Sequence, residues 1–283
     1  MKTSVIISTH ARPSSLVRLI ASLAPGLGSG TREIIVAENG TPAPMQLPTR
    51  LTTLKHLHEP RPGKCRIQNR AIAQAAGEIL VFLDDDLTVT AGYLDAVESF
   101  FDTRREFVGM KGRILPEEDP DKKVGPLAVY LDLPIADDGD QVIEVKGVLG
   151  ANMGFRAMAL RQVGTFDERL GPGAGGHEEE TEMSARLRSA GLRIGYAPKA
   201  LVFHEVDRSR ANRERFIRIA RERGRCRMLH EKHSAMEVVT KNAIALTRLR
   251  FAQLIGAGLP RIAREERRLA IARGMFDGLG GHS

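Results

Sequence analysis

Hydrophobic positions along the chain come in short bursts whose period changes. Ser4-Val-Ile-Ile-Ser8 is apolar and β-branched at three successive positions. It is too short for a helix and continuous rather than alternating, which predicts a strand covered on both faces. Leu16, Leu19, Ile20 and Leu23 follow at helical spacing behind an N-cap at Ser14 or Ser15, and Pro25-Gly26 ends that helix. Glu33-Ile-Ile-Val-Ala37 repeats the strand pattern and stops at Asn39-Gly40, completing a βαβ unit. Lys64 to Ala76 reads as an Ala-rich helix closed by Gly77, and Ile79-Leu-Val-Phe-Leu83 is the third predicted strand. It runs straight into Asp84-Asp85-Asp86.

The second half is looser. Gly92–Thr103 is helical in pattern, Pro116–Asp140 is charged and contains proline, and Val142–Val148 reads as a strand. Ala157–Val163 and Glu178–Ala190 read as helices, and Ile194–Tyr196 and Leu201–Phe203 as two short strands, with no internal repeat. The order predicts an α/β fold with a parallel first half and a mixed second half. Ligands of open parallel sheets sit beyond the carboxyl ends of the strands. If the first three strands are neighbours, the loops Thr9–Arg12, Glu38–Gly40 and Asp84–Asp86 form one polar site.

Composition adds a division to this picture. With 283 residues, 42% hydrophobic and 27% charged, the chain has ample material for a globular core, which excludes wholesale disorder. The formal charge of +7 invites an anionic partner. It is unevenly placed: residues 208–283 carry 18 Lys and Arg against 7 Asp and Glu, whereas residues 1–207 carry 24 against 28. Cys65 and Cys226 are too few for a disulfide framework or a zinc site and read as buried thiols in a reducing compartment. The apolar run near the start is too short for a signal peptide, and no window reaches about 18 apolar residues. A cytoplasmic protein is expected.

Three adjacent carboxylates at a strand end repel one another unless a cation or solvent relieves them, so Asp84–Asp86 reads either as a site for a hard divalent ion or as a solvated acidic turn. Arg12 reads as an anion contact or a surface salt bridge. Glu178-Glu179-Glu180 stands at a helix start, where acids either favour the N-terminus or do chemistry. His204, closing the apolar run Leu201-Val-Phe203, is a packed histidine or a metal ligand. Asn152, between glycines, reads as a tight turn. Gly171-Pro-Gly-Ala-Gly-Gly176 is not followed by Gly-Lys-Ser/Thr, so it is not a phosphate-binding P-loop, and it reads as a flexible segment that lets a neighbouring loop close.

The stretch from Gly63-Lys-Cys-Arg-Ile-Gln-Asn-Arg70 to Leu83-Asp-Asp-Asp86 resembles, in order and spacing, the donor-binding core of family 2 glycosyltransferases of the GT-A fold. The resemblance continues through Gly150-Ala-Asn-Met-Gly-Phe155, Phe166-Asp-Glu168, Glu179-Glu-Thr-Glu182, Arg186-Leu187, Ala190-Gly191, Pro198 and His204, and covers residues 3–205. It implies a Rossmann-like nucleotide-diphospho-sugar transferase with a mixed central sheet. The implied reaction is inverting, metal-assisted transfer of a sugar to an acceptor hydroxyl, in polysaccharide, glycolipid or other glycoconjugate synthesis. The resemblance places Thr9, His10, Arg12, Glu38, Lys64, Arg66, Asp84 and Asp85 around the nucleotide, a UDP-sugar being favoured. Asp86, Asp84 and His204 are implied around Mn²⁺ or Mg²⁺. Asn152, Gly150 and Glu179 are implied on the acceptor side, with Glu180, or Glu179 in its place, as the general base. Glu38 and Glu180 both stand where the family usually has aspartate, and the longer side chain at position 180 moves the carboxylate by about 1 Å.

The expected organisation is a catalytic domain over 1–207, with a nucleotide-binding half to about residue 115 and an acceptor-binding half over 116–207, followed by a basic helical extension over 208–283. That extension reads as a face for an anionic inner membrane surface, a cap packed on the catalytic domain or a homodimer element. Two other classes compete for the whole chain. One is a metal-dependent nucleotidyltransferase with a similar core. The other is a basic protein for nucleic acid or membrane, whose nucleic-acid form is disfavoured by the absence of Trp and the presence of only 3 Tyr.

Overall fold

The structure, a computed structural model, describes residues 2–28, 31–47 and 54–279. The chain divides into two units. The first comprises 1–117, 134–174 and 179–205, and the second 118–133, 175–178 and 206–283.

The first unit is built on a mixed sheet of β1 (Thr3–Thr9), β2 (Arg32–Asn39), β3 (Leu54–Glu59), β4 (Ile79–Asp84), β5 (Leu87–Val89), β6 (Phe107–Pro116), β7 (Glu144–Val145), β8 (Asn152–Arg156) and β9 (Arg193–His204). Their order is β3-β2-β1-β4-β8-β6-β9-β5, with β7 also pairing β9. β3, β2, β1 and β4 are parallel, whereas β8 runs antiparallel to both β4 and β6. Helices α1 (Pro13–Leu23), α2 (Lys64–Gln74), α3 (Tyr93–Thr103), α5 (Ala157–Val163) and α6 (Glu179–Ser189) belong to this unit, and α4 (Pro120–Val124) to the second. Val5, Ile7, Ile34 and Val36 pack with Leu16, Leu19 and Leu23 of α1, while Ile6, Ile35 and Ala37 pack with Cys65, Ile67 and Ala71 of α2. Both faces of these strands are therefore buried, which is why their apolar runs are continuous.

The structure adds four strands that the pattern did not predict, β3, β5, β6 and β8, and redraws others. β3 reads Leu-Lys-His-Leu-His-Glu and lies at the sheet edge, so four of its six side chains are polar. β6 alternates small and polar residues, Gly109, Lys111, Gly112 and Arg113, between its apolar ones. The strand expected over 142–148 contracts to Glu144–Val145. The two short strands expected over 194–196 and 201–203 are one strand, β9, whose pairing with β6 jumps from Gly112↔Ala197 to Arg113↔Leu201. Pro198 lies in that jump, and its missing N–H explains why the ladder breaks there.

Glu59 closes β3 by accepting from the backbone and guanidinium of Arg61 (3.1 and 2.9 Å) and from Arg70 (3.3 Å). The Arg61 hydrogen bonds, against some desolvation, lower its pKa from the ordinary 4.5 to about 2. A carboxylate depressed on folding stabilises above its unfolded pKa and loses that contribution as pH falls through the folded one. Chemical-denaturation midpoints of Glu59→Gln are thus expected to fall below wild type above about pH 4.5 and to converge with it towards about pH 2. A gap of equal size at both ends of that range would remove Glu59 as the cause.

The second unit holds α4, α7 (Arg213–His230), α8 (Ala235–Leu254) and α9 (Leu259–Leu279). α7 and α9 approach so closely that a Cβ on Gly224 would lie 2.0 Å from the Ile271 carbonyl oxygen, and one on Gly274 1.9 Å from that of Arg221. The unit is larger than the tail expected over 208–283. The Tyr130 ring packs edge-on to Phe216, and Asp132 pairs with Arg223 at 2.7 Å, which ties 118–133 to α7. Glu178, buried at φ 76°, pairs with Arg227 at 3.3 Å and ties in 175–178. No helix among the described residues is long and apolar enough to cross a membrane.

Candidate active site

The parallel register sets Thr9 beside Glu38 and Ser8 beside Asp84, so the carboxyl ends of β2, β1 and β4 lie side by side. Antiparallel pairing of β5 with β9 sets Leu87 opposite His204, and the Glu205 N–H donates to the Asp86 carbonyl at 3.0 Å. The acidic triplet and the histidine, 118 positions apart in sequence, are thereby brought to one place.

Here the Thr9 hydroxyl donates to Asp85 at 2.6 Å, and Arg12 Nη1 reaches Asp85 at 3.1 Å and Asp86 at 2.9 Å. Burial raises Asp85 to about 6, against the Thr9 hydrogen bond, with Asp86 adding repulsion and Arg12 opposing it. Asp86 and His204 are both buried, with His204 Nε2 3.4 Å from Asp86 Oδ1. His204 Nδ1 lies 2.8 Å from the Glu205 carbonyl oxygen. That nitrogen must carry a hydrogen, so in the neutral ring the Nε2 lone pair faces the carboxylate. Two acceptors so placed repel unless a cation or a second ring proton lies between them. The donor set would suit a hard or borderline divalent ion. Among the described residues no group of three or more His, Cys, Asp or Glu side chains is placed so that it could hold a metal ion.

A second cluster adjoins the first. Lys64, at the start of α2, is buried with its Nζ 2.7 Å from Asp84 and 3.5 Å from Glu179. Burial works to lower its pKa, but the charges of Asp84 and Glu179 outweigh it and raise it. A Cβ built on Gly150 lies 3.7 Å from Lys64 Nζ, 3.7 Å from Glu179 Oε1 and 3.9 Å from Glu180 Oε2. Gly150 is therefore the small-residue floor on which both glutamates and the lysine converge. Glu179 is buried, whereas Glu180 is half-exposed. The Lys64 N–H donates to the Pro172 carbonyl at 2.8 Å, and a Cβ on Gly173 (φ 84°) would lie 2.5 Å from the Gly63 nitrogen. The glycines of 171–173 thus serve close backbone approach, not the looseness expected of that loop.

Four expected site residues make contacts within the fold. Asn152 is fully buried: it donates to the carbonyls of Arg113 (3.1 Å) and Ala200 (2.9 Å) and accepts from the Tyr93 hydroxyl (2.7 Å). Its amide is spent on fastening β6, β9 and α3 to β8, so the acceptor contact expected of it is corrected to a structural one. Glu38 is also fully buried, accepting from Thr41 (2.6 Å), the Met45 N–H (2.9 Å) and His56 (2.8 Å). These bonds hold it below the usual carboxylate range although burial works to raise it. It anchors the loop after β2, which corrects the expected contact with a base. Arg66 turns to Glu168 (3.3 Å) and the Pro62 carbonyl (3.0 Å). His10 is exposed and sits on the Asn39 carbonyl at 2.7 Å.

Sequence reading missed Asn39, which donates to the Thr9 carbonyl at 3.4 Å and accepts from the Gly63 N–H at 3.2 Å, linking the ends of β1 and β2 to the start of α2. Its position just before Gly40 reads only as a turn. Both cysteines are buried free thiols. Asn152→Ala leaves three buried groups without their partner and is expected to cost about 3 kcal/mol of stability. Any turnover per folded molecule should be retained, which denaturation and activity measured on one preparation will check.

A family profile described as glycosyl transferase family 2 matches residues 4–164, more than half of the chain. The chain belongs to glycosyl transferase family 2. It is 30% identical over 215 residues to the pre-mycofactocin glycosyltransferase of Mycobacterium tuberculosis, a match that covers 71% of this chain and 42% of that protein. The chain thus spans less than half the length of that curated relative. Among solved structures it is similar to the mannosyltransferase PcManGT from Pyrobaculum calidifontis in complex with GDP-Man and Mn²⁺, with a TM-score of 0.65 at 14% identity, covering 100% of this chain and 88% of that one. It is also similar to GalNAc-T7 with UDP, GalNAc and Mn²⁺, with a TM-score of 0.55 at 14% identity, covering 77% of this chain and 47% of that one. At these identities the likeness is one of fold. The first unit of this family 2 chain has the mixed-sheet GT-A architecture, and further helices follow it in sequence.

Proposed function

We propose that the chain transfers a sugar, with inversion, from a nucleoside-diphosphate sugar to an acceptor hydroxyl, with Glu180 as general base. One observation carries the reading: Lys64 ties the acidic strand end at Asp84 to the glutamates at the start of α6, with Glu179 and Glu180 both beside Gly150. The acidic strand end and the helix that carries the proposed base are thus tied to one side chain.

Glu180 takes the proton from the acceptor oxygen as that oxygen bonds to the anomeric carbon and the bond from that carbon to the diphosphate oxygen breaks. Its half-exposed position suits a group that must meet an acceptor, while buried Glu179, paired to Lys64, positions α6. Asp86 and His204 would hold Mn²⁺ or Mg²⁺, which supplies neutralisation of the charge that develops on the leaving diphosphate. Thr9 orients Asp85, and Arg12 adds a fixed positive charge beside the same carboxylates. Glu38 is occupied by Thr41, the Met45 N–H and His56 and is not assigned to uracil. The donor class is therefore a nucleoside-diphosphate sugar, UDP- and GDP-linked forms alike, and the acceptor a hydroxyl of a polysaccharide, glycolipid or other glycoconjugate.

The test incubates the purified chain with Mn²⁺ and a panel of UDP- and GDP-sugars and follows nucleotide release and the anomeric configuration of the product. Release of a nucleoside diphosphate with an inverted product is expected. No binding and no hydrolysis of any donor would sink the proposal, and release of pyrophosphate would move the chain to the nucleotidyltransferases.

A further inference from the structure

α8 is apolar on two faces and only one of them is used within its unit. Val238, Ala245 and Ala252 are buried. Ala245, with Leu246 and Leu249 beside it, packs with Leu269 and Ala272 of α9, and Asn242 donates to the Ala272 carbonyl at 2.6 Å. On the other side Met236, Ile244, Phe251 and Leu254 are 75%, 47%, 54% and 84% exposed. At about 100° per residue these four share one stripe about 80° wide along the whole helix, and exposed Ile255 and Leu259 continue it past the helix end. Soluble surfaces scatter their apolar side chains, and a continuous stripe of large ones marks a contact surface.

The charges beside the stripe identify what it meets. From Val238 to Arg264 the sequence has no Asp or Glu, while Lys241, Arg248, Arg250, Arg261 and Arg264 are all exposed. By helical angle Arg250 borders the stripe on one side and Arg248 on the other, while Lys241, beside Arg248, pairs with Glu237 at 2.8 Å. Two copies joined through this face would set arginine against arginine around the apolar centre. A nucleic acid would satisfy the arginines and leave Met236 and Leu254 against phosphate. A lipid leaflet with anionic headgroups satisfies both: the side chains of the stripe enter the acyl boundary while the flanking cations meet the headgroups.

We propose that α8, through Met236, Ile244, Phe251 and Leu254 with Arg248 and Arg250, lies in the surface of an anionic lipid bilayer. The face belongs to the helical unit alone, so the inference stands apart from the transferase reading and does not depend on any donor being found.

The full chain is sedimented with phosphatidylcholine vesicles with and without about 30 mol % phosphatidylglycerol. Wild type is expected to pellet with the anionic vesicles, to stay in solution with the neutral ones, and to be released by salt. The double variant F251E/L254E, both positions being exposed, is expected to keep its melting temperature and lose binding by tenfold or more. R248E/R250E is expected to lose the preference for anionic lipid. Equal pelleting of wild type and F251E/L254E would overturn the proposal, as would no binding to anionic vesicles. A wild-type dimer in solution that F251E/L254E converts to monomer would overturn it in favour of a second copy.

Discussion

Glu180→Gln is expected to bind a nucleotide-sugar donor as wild type does and to transfer the sugar about 10²–10⁴-fold more slowly. The amide keeps the size and shape of the side chain, exchanges one acceptor oxygen for a donor and removes its capacity to take a proton. The loss should therefore fall in kcat and leave the donor KM largely alone. Glu179→Gln separates the two adjacent acids. Glu179 is buried against Lys64, so its amide should disturb stability as well as rate. If Glu179→Gln loses the full factor while Glu180→Gln retains turnover, the base is Glu179 and the assignment to Glu180 is wrong.

Lys64→Met is expected to produce the largest loss of stability. Lys64 is the cation between Asp84 and Glu179. Removing one partner of a buried ion pair leaves uncompensated carboxylates and costs about 3–5 kcal/mol. For a chain of this size that corresponds to a fall of roughly 10 °C in Tm. Donor-dependent turnover should be lost too, because Asp84 and α6 lose their shared anchor. Melting within about 2 °C of wild type would show that Lys64 is not that anchor. Mn²⁺ added to the variant is expected to recover little, since Lys64 sits with Asp84 and Glu179 while Arg12 serves Asp85 and Asp86.

The sequence made legible those parts of the fold whose burial is uniform. β1, β2 and β4 are covered on both faces and announce themselves as apolar runs, and the acids at their ends follow directly. β3 and β6 escaped because an edge position and small residues at close contacts give no continuous run. Motif position located Asp84–Asp86, Glu179, Glu180 and His204 but left their contacts open. Asn152 shows why: a polar residue in a glycine-rich turn reads as available for ligand, and only the register of β8 between β4 and β6 reveals that its amide is already occupied. Glu38 misled for the same reason, since the Thr41, Met45 and His56 groups that occupy it come from a loop and an edge strand without a pattern. The exposed face of α8 was hidden by the apolar face opposite it, which leaves the helix with little contrast between sides.

Arg12 gives the carboxylates of Asp85 and Asp86 a cation of their own. Stripping divalent ions with a chelator therefore leaves these acids compensated, unlike a structural metal site whose loss unfolds the domain. Fold and ion are therefore expected to be separable: a preparation exposed in turn to chelator and to Mn²⁺ should keep its melting temperature, and divalent ions can be ranked on the same molecules.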